Sequence, residues 1–212
     1  MLPLEYLSAF SFWNLMELIL AIALFAFSSG ITPGPNNVML MTSGVNFGVR
    51  KSLPHLLGIC IGFPCMVLAI GLGLSALFQT YPNLHTVIKY IGIAYLLYLS
   101  WLIATSSSKM EGKQRRAPFS FIQAAAFQWV NPKGWIMAIG AVATFTSVQH
   151  PLTPQVLTIT TVFFCVAFPC AMIWLGFGVA LKRLLKNARQ QKIFNITMAL
   201  LLVASIIPMI TP

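Results

Sequence analysis

The residue of this sequence with most chemistry in it is a lysine set in the middle of an apolar run. Lys133 stands in Asn131-Pro132-Lys133-Gly134, inside the apolar stretch 120–146. A lysine at the centre of a membrane helix costs about 2.5–3.5 kcal/mol on insertion scales, so something must offset it. The chain's three acids lie elsewhere: Glu5 and Glu17 at or before the start of the first apolar run, and Glu111 in a polar connection. Lys133 is therefore hydrated, bonded to backbone carbonyls in a structural role, or held for the carboxylate of a substrate. A fourth role, exchange of its own proton as a carrier, is open to the same side chain.

A second break of the same kind lies in the run 17–43, at Thr32-Pro33-Gly34-Pro35-Asn36. In a continuous helix Pro33 and Pro35 would leave the carbonyls of Ser29 and Ile31 unbonded, and Pro132 would leave that of Gln128. An unpaired carbonyl at membrane depth costs several kcal/mol, so such breaks survive only against protein or a wet cavity. Thr32, Asn36, Asn37, Gln128 and Asn131 put side-chain donors and acceptors beside them. Half-helix N-termini suit a carboxylate, and freed carbonyls suit an ammonium. Thr32, Pro33, Gly34, Pro35, Asn36, Gln128, Asn131, Pro132 and Lys133 are the candidate substrate-binding and gating residues, equipped for a zwitterion. A simple packing kink is the competing account of a membrane proline, and it suits Pro64 and Pro169 as well as any function does.

The elements that must carry these breaks follow from composition. The 212 residues are 58% hydrophobic and 8% charged, with a net charge of +10 and a mean hydropathy of +0.84. A soluble domain carries roughly 25% charged residues, so this is an integral membrane protein. The basic excess reads as topology before it reads as an affinity for nucleic acid. Apolar runs too long for β-barrel strands predict an all-α protein of six spans, near 17–43, 53–78, 86–105, 120–146, 155–180 and 193–210.

Eleven of the 13 bases fall in three connections: Arg50 and Lys51; Lys109, Lys113, Arg115 and Arg116; and Lys182, Arg183, Lys186, Arg189 and Lys192. The connections QTYPNLH and SVQHPLTP hold none. Cytoplasmic loops collect Lys and Arg, so the termini are expected outside. Lys89 can snorkel to the outer interface. The opening residues lack a basic run ahead of the first apolar one, so that run is expected to remain as a span. Residues 1–15 suit an interfacial helix or an extension.

The halves resemble each other. Cys60/Cys165, Cys65/Cys170, Phe63/Phe168, Pro64/Pro169, Gly71/Gly176 and Gly73/Gly178 coincide at an offset of 105. The single domain 1–212 then divides into repeat 1 (about 16–105), a cytoplasmic loop (106–119) and repeat 2 (about 120–211). With three spans per half the second copy is inverted, and inverted halves with broken helices point to a secondary transporter. No phosphate-binding loop is present, and His55, His85 and His150 form no ligand spacing with Cys or acids. ATP, a metal and a cofactor are therefore not expected, and neither is an enzyme.

The runs FSSGITPGPNNVML, IGIAYLLYLSWLIATSSSK and FQWVNPKGW resemble the LysE/RhtB superfamily of amino-acid exporters over about residues 16–210. The stretches Thr32–Asn37, Ile103–Ser106 and Phe127–Asn131 look nearest to its cysteine/O-acetylserine branch. The resemblance implies a six-helix, inner-membrane, proton-driven exporter of a small amino acid, with a homodimer as one assembly open to it. Its signature falls on Pro33, Gly34, Pro35 and Asn36, and on Asn131, Pro132 and Lys133. Many members carry an acid where this chain has Phe63, which favours a neutral substrate here. The rival reading is a membrane thiol–disulfide electron carrier using Cys65 and Cys170. Residues i and i+5 sit about 140° apart on a helix, so Cys60 and Cys65 do not share a face. Small-residue packing is the plainer role of all four.

Overall fold

A computed structural model of the chain describes residues 4–74, 80, 82–105, 117–185 and 187–210. Every regular element among them is helical. The helices are α1 (Leu4–Ile31), α2 (Pro35–Ala69, continued by a π-turn over Ile70–Leu74), α3 (Pro82–Ala104) and α4 (Phe121–Phe127). After a 3-10 turn over Gln128–Val130 come α5 (Pro132–Phe145), α6 (Leu152–Leu184), α7 (Ala188–Ala204) and α8 (Ile207–Ile210). Pro35–Gly73, Thr86–Ala104 and Leu152–Leu184 are long and apolar enough to cross a membrane, and Leu15–Ile31 is a shorter apolar helix. Large side chains such as Leu24, Phe164, Phe168, Ile173 and Phe177 are exposed. A face that apolar suits lipid and would be an aggregation surface in water.

Residues 4–31 are one helix, so the opening segment runs directly into the first apolar run rather than standing apart. The connection expected around Arg50 and Lys51 shrinks to one residue. Gly48 has φ 77° and ψ 177° within otherwise helical backbone. The Ser43 hydroxyl lies 2.9 Å from Nδ1 of His55, twelve residues on. A straight helix would separate those positions by about 18 Å along its axis, so the chain doubles back at Gly48. Glycine reaches positive φ without steric cost, which is why no loop is needed. Lys109, Glu111, Lys113, Arg115, Arg116, Lys186, residues 75–79 and the side chains of Glu5 and His85 lie outside the described residues.

Close helix packing rests on glycines. A Cβ at Gly178 would overlap the Met41 carbonyl, and one at Gly44 would lie 2.5 Å from the Leu175 oxygen, so α2 and α6 meet backbone to backbone. Gly62 sets α2 against Ala125 of α4 in the same way, 2.7 Å from a built Cβ to the Ala125 Cα. These are the small-residue contacts expected where no hydrophobic force draws helices together.

The matches at offset 105 fare differently. Cys60, Phe63, Pro64 and Gly71 are buried while Cys165, Phe168, Pro169 and Gly176 are exposed; Cys65 and Gly73 are exposed while Cys170 and Gly178 are buried. Every pair joins opposite environments. The matched residues thus differ in burial, and residues on an exposed face and on a packed face draw on the same small, apolar types.

Candidate functional site

Both predicted breaks are present. The chain leaves helix at Thr32–Gly34 and re-enters it with Pro35 at the first position of α2, after Gly34 in extended conformation (φ −170°, ψ 176°). It leaves helix again at Asn131 (φ −83°, ψ 110°) and resumes with Pro132 at the start of α5. In both places proline occupies the position where a missing N–H is harmless.

The carbonyls released by the prolines all find partners. That of Ser29 accepts from the Thr32 hydroxyl at 2.7 Å. That of Ile31 accepts from the Trp174 indole N–H at 3.2 Å. That of Gln128 accepts from the Asn131 amide at 3.3 Å. The Asn37 side-chain amide donates to the carbonyls of Gly30 (2.9 Å) and Thr32 (2.7 Å). At membrane depth this complete pairing is what lets irregular backbone persist.

Two further contacts lock one break to the other. Asn36 Nδ2 donates to Gln128 Oε1 at 2.8 Å, and Gln128 Nε2 donates back to Asn36 Oδ1 at 3.1 Å. Lys133 Nζ donates to the Thr32 carbonyl and hydroxyl, each at 2.7 Å, and reaches the Pro33 carbonyl at 3.4 Å. Those three acceptors use all three ammonium donors. Of the roles open to Lys133 in the sequence, the bonding of freed carbonyls is the one realised in this conformation. Gly34 makes room for it: a Cβ there would lie 2.7 Å from Lys133 Cδ and 3.1 Å from Nζ.

Around these contacts lies a cavity of about 70 Å³. Gly34, Asn36, Asn37, Asn131, Lys133 and Gly134 line it from the breaks. Phe63, Met137, Phe163, Ala167 and Cys170 are among the side chains that complete it. A buried cluster of Ile22, Ala26, Phe63, Met66, Val67, Ile70, Ala138, Ala141, Ile159 and Phe163 adjoins it through Ala26, Phe63 and Phe163. Phe163 stands edge-on to both Phe25 and Phe63 in that cluster. A second cluster, Leu40, Leu56, Ile59, Cys60, Ala124, Ala171 and Leu175, adjoins it through Leu40, Ile59 and Ala171. Among the described residues, Lys133 is the sole charged group in the lining.

The pattern of the LysE type translocator family matches residues 27–205, which include both breaks and the whole cavity lining but Ala26. The chain belongs to the LysE type translocator family. It is a transporter and not an enzyme. Its relatives include the cysteine/O-acetylserine efflux proteins of Escherichia coli K12 and of Shigella flexneri, each 32% identical over 176 residues. That alignment spans 82% of this chain and 88% of each relative. The branch suggested by Thr32–Asn37 and Phe127–Asn131 is thus the one these relatives occupy. No solved structure matches the chain.

Of the nine sequence-predicted site residues in this LysE-type chain, Thr32, Pro33, Asn36, Gln128 and Lys133 are joined directly by hydrogen bonds, and Gly34 and Asn131 line the same cavity. Pro35 and Pro132 act through the backbone, as first residues of their helices. Trp174 is not among the nine; an indole in an apolar helix gives no sign that its N–H closes a break 143 residues away. The thiol pair of the rival reading is not formed. All four cysteines are free, with Cys65 exposed and Cys170 buried. The i, i+5 spacing puts Cys65 on the outer face of its helix, away from the packed side that holds Cys60.

Proposed function

We propose that this protein is a secondary active exporter of small neutral amino acids or their derivatives, alternating access at the cavity between the two breaks. The observation that carries the proposal is that one lysine and one reciprocal amide pair join the two irregular segments across that cavity. A substrate carboxylate has a natural place at Lys133, where it replaces the long 3.4 Å contact to the Pro33 carbonyl. An ion pair in a low-dielectric site is stronger than a bond to a neutral carbonyl, so binding loosens the tie between the breaks. The Asn36–Gln128 pair is the second tie that must open for the site to face the other side.

The same reading has six spans, with Gly48 dividing the first two, and two inverted halves that carry one break each. Loops rich in Lys and Arg lie in the cytoplasm, and the termini lie outside a bacterial inner membrane. Transport is coupled to protons through Lys133, the charged group within the cavity. The kinship with cysteine/O-acetylserine efflux proteins supports a small, polar, uncharged cargo.

The test is counterflow of a panel of labelled amino acids in liposomes holding the purified protein, with and without a pH gradient. Exchange of small neutral amino acids, enhanced by the gradient, is expected. Liposomes that move no amino acid contradict the exporter reading, and exchange indifferent to the gradient contradicts its proton coupling.

A further inference from the structure

The cavity has two chemically distinct walls. Its polar wall comes from the breaks and holds Lys133, Asn36, Asn37 and Asn131. Asn131 is 2% exposed, and its Oδ1 has no hydrogen-bond partner. A buried acceptor left unbonded costs about 1–3 kcal/mol, and an ammonium beside it would recover that. The other wall comes from Phe63 of α2 and from Phe163, Ala167 and Cys170 of α6.

We infer that this second wall is the side-chain subsite for the transported amino acid, and that Cys170 limits the length of side chain it accepts. The inference rests on the exporter reading and gives it a size rule. Cys170 is buried, and its Sγ lies 3.4 Å from where a Cβ on Gly30 would stand. The thiol therefore fills the space directly against the backbone of Gly30. That same residue's carbonyl is held by Asn37, which also holds the carbonyl of Thr32, the acceptor of Lys133. One residue of chain, Ile31, thus separates Thr32, which holds the lysine that takes the carboxylate, from Gly30 at the wall that meets the side chain.

A cavity of about 70 Å³ is far below the roughly 300–1,000 Å³ of a drug-sized pocket. Little length remains for a substituent beyond its first atoms. The wall offers no carboxylate to a cationic side chain and no second cation to an acidic one. A charged substituent there would be desolvated without a partner. Short, uncharged side chains are what fits.

The experiment uses the full-length protein in liposomes and compares counterflow of labelled serine and leucine. One methylene in an apolar pocket changes discrimination by at least about tenfold. Cys170→Ala is expected to raise the leucine-to-serine ratio by about that factor. A ratio unchanged by the substitution, in protein that transports, overturns the subsite and leaves the exporter reading standing. Wild-type protein that moves neither amino acid overturns both.

A second measurement needs no substitution. N-ethylmaleimide modification of the wild-type protein is followed cysteine by cysteine by mass spectrometry, with and without excess serine. Serine is expected to slow modification of Cys170 several-fold and to leave the exposed Cys65 and Cys165 unchanged. Equal rates at Cys170 with and without serine contradict the inference.

Discussion

At the scale of residues, Gly34 and Lys133 are a matched pair. The stem of the lysine passes where a Cβ at position 34 would stand, so in Gly34→Ala the flexible end of Lys133 must shift from its place against the Thr32 and Pro33 oxygens. Because the extended backbone of Gly34 suits any residue, the effect is steric rather than conformational. Gly34→Ala is expected to lower export at least tenfold at normal membrane abundance, as measured by efflux of labelled substrate. Asn37→Ala acts on stability instead. It removes the side-chain donor to the Gly30 carbonyl and one of two to that of Thr32, a loss of about 1–3 kcal/mol. A lowered midpoint of thermal unfolding in detergent checks it. Lys133, Asn36 and Asn131 are legible in the sequence because proline and glycine beside polar residues are costly in an apolar run. Cys170, Phe163 and Trp174 are not, since ordinary packing uses the same residue types and only the fold brings them to the breaks.

At the scale of elements, two glycines set the shape by different means. Gly48 turns the chain back through a positive φ with open space around it. Gly48→Ala is expected to cost about 1–3 kcal/mol, because φ 77° with ψ 177° is a backbone region open essentially to glycine alone; a lowered unfolding midpoint checks it. Gly178 allows contact between α2 and α6. Gly178→Ala must push those two backbones apart, whereas Gly176→Ala, two residues away, meets nothing within 4 Å. Folded yield in detergent is expected to fall for the first and not for the second. The same contrast explains why the matches at offset 105 do not carry over to the packing. Gly71 and Gly176 match in sequence, but one packs against Val156 while the other faces open space. Helix breaks are easier to read than helix faces, because a proline constrains the backbone wherever it sits.

At the scale of the whole molecule, the uneven placement of the bases behind the net charge of +10 carries the proposed orientation. Lys51→Cys is expected to react with a membrane-impermeant maleimide only from the cytoplasmic side, and His150→Cys only from outside; labelling of intact cells against inverted vesicles decides it. The apolar clusters around Phe63 and Phe163 and around Leu40 and Ile59 both adjoin the cavity, and under the proposed function a switch in access would have to loosen the ties between the breaks. The most direct test is efflux of labelled serine from liposomes holding either wild-type protein or Lys133→Ala, at equal protein content and across a range of pH. Lys133→Ala is expected to abolish efflux or to remove its dependence on pH. Efflux of wild-type rate and wild-type pH dependence from Lys133→Ala would contradict a transport role for this lysine.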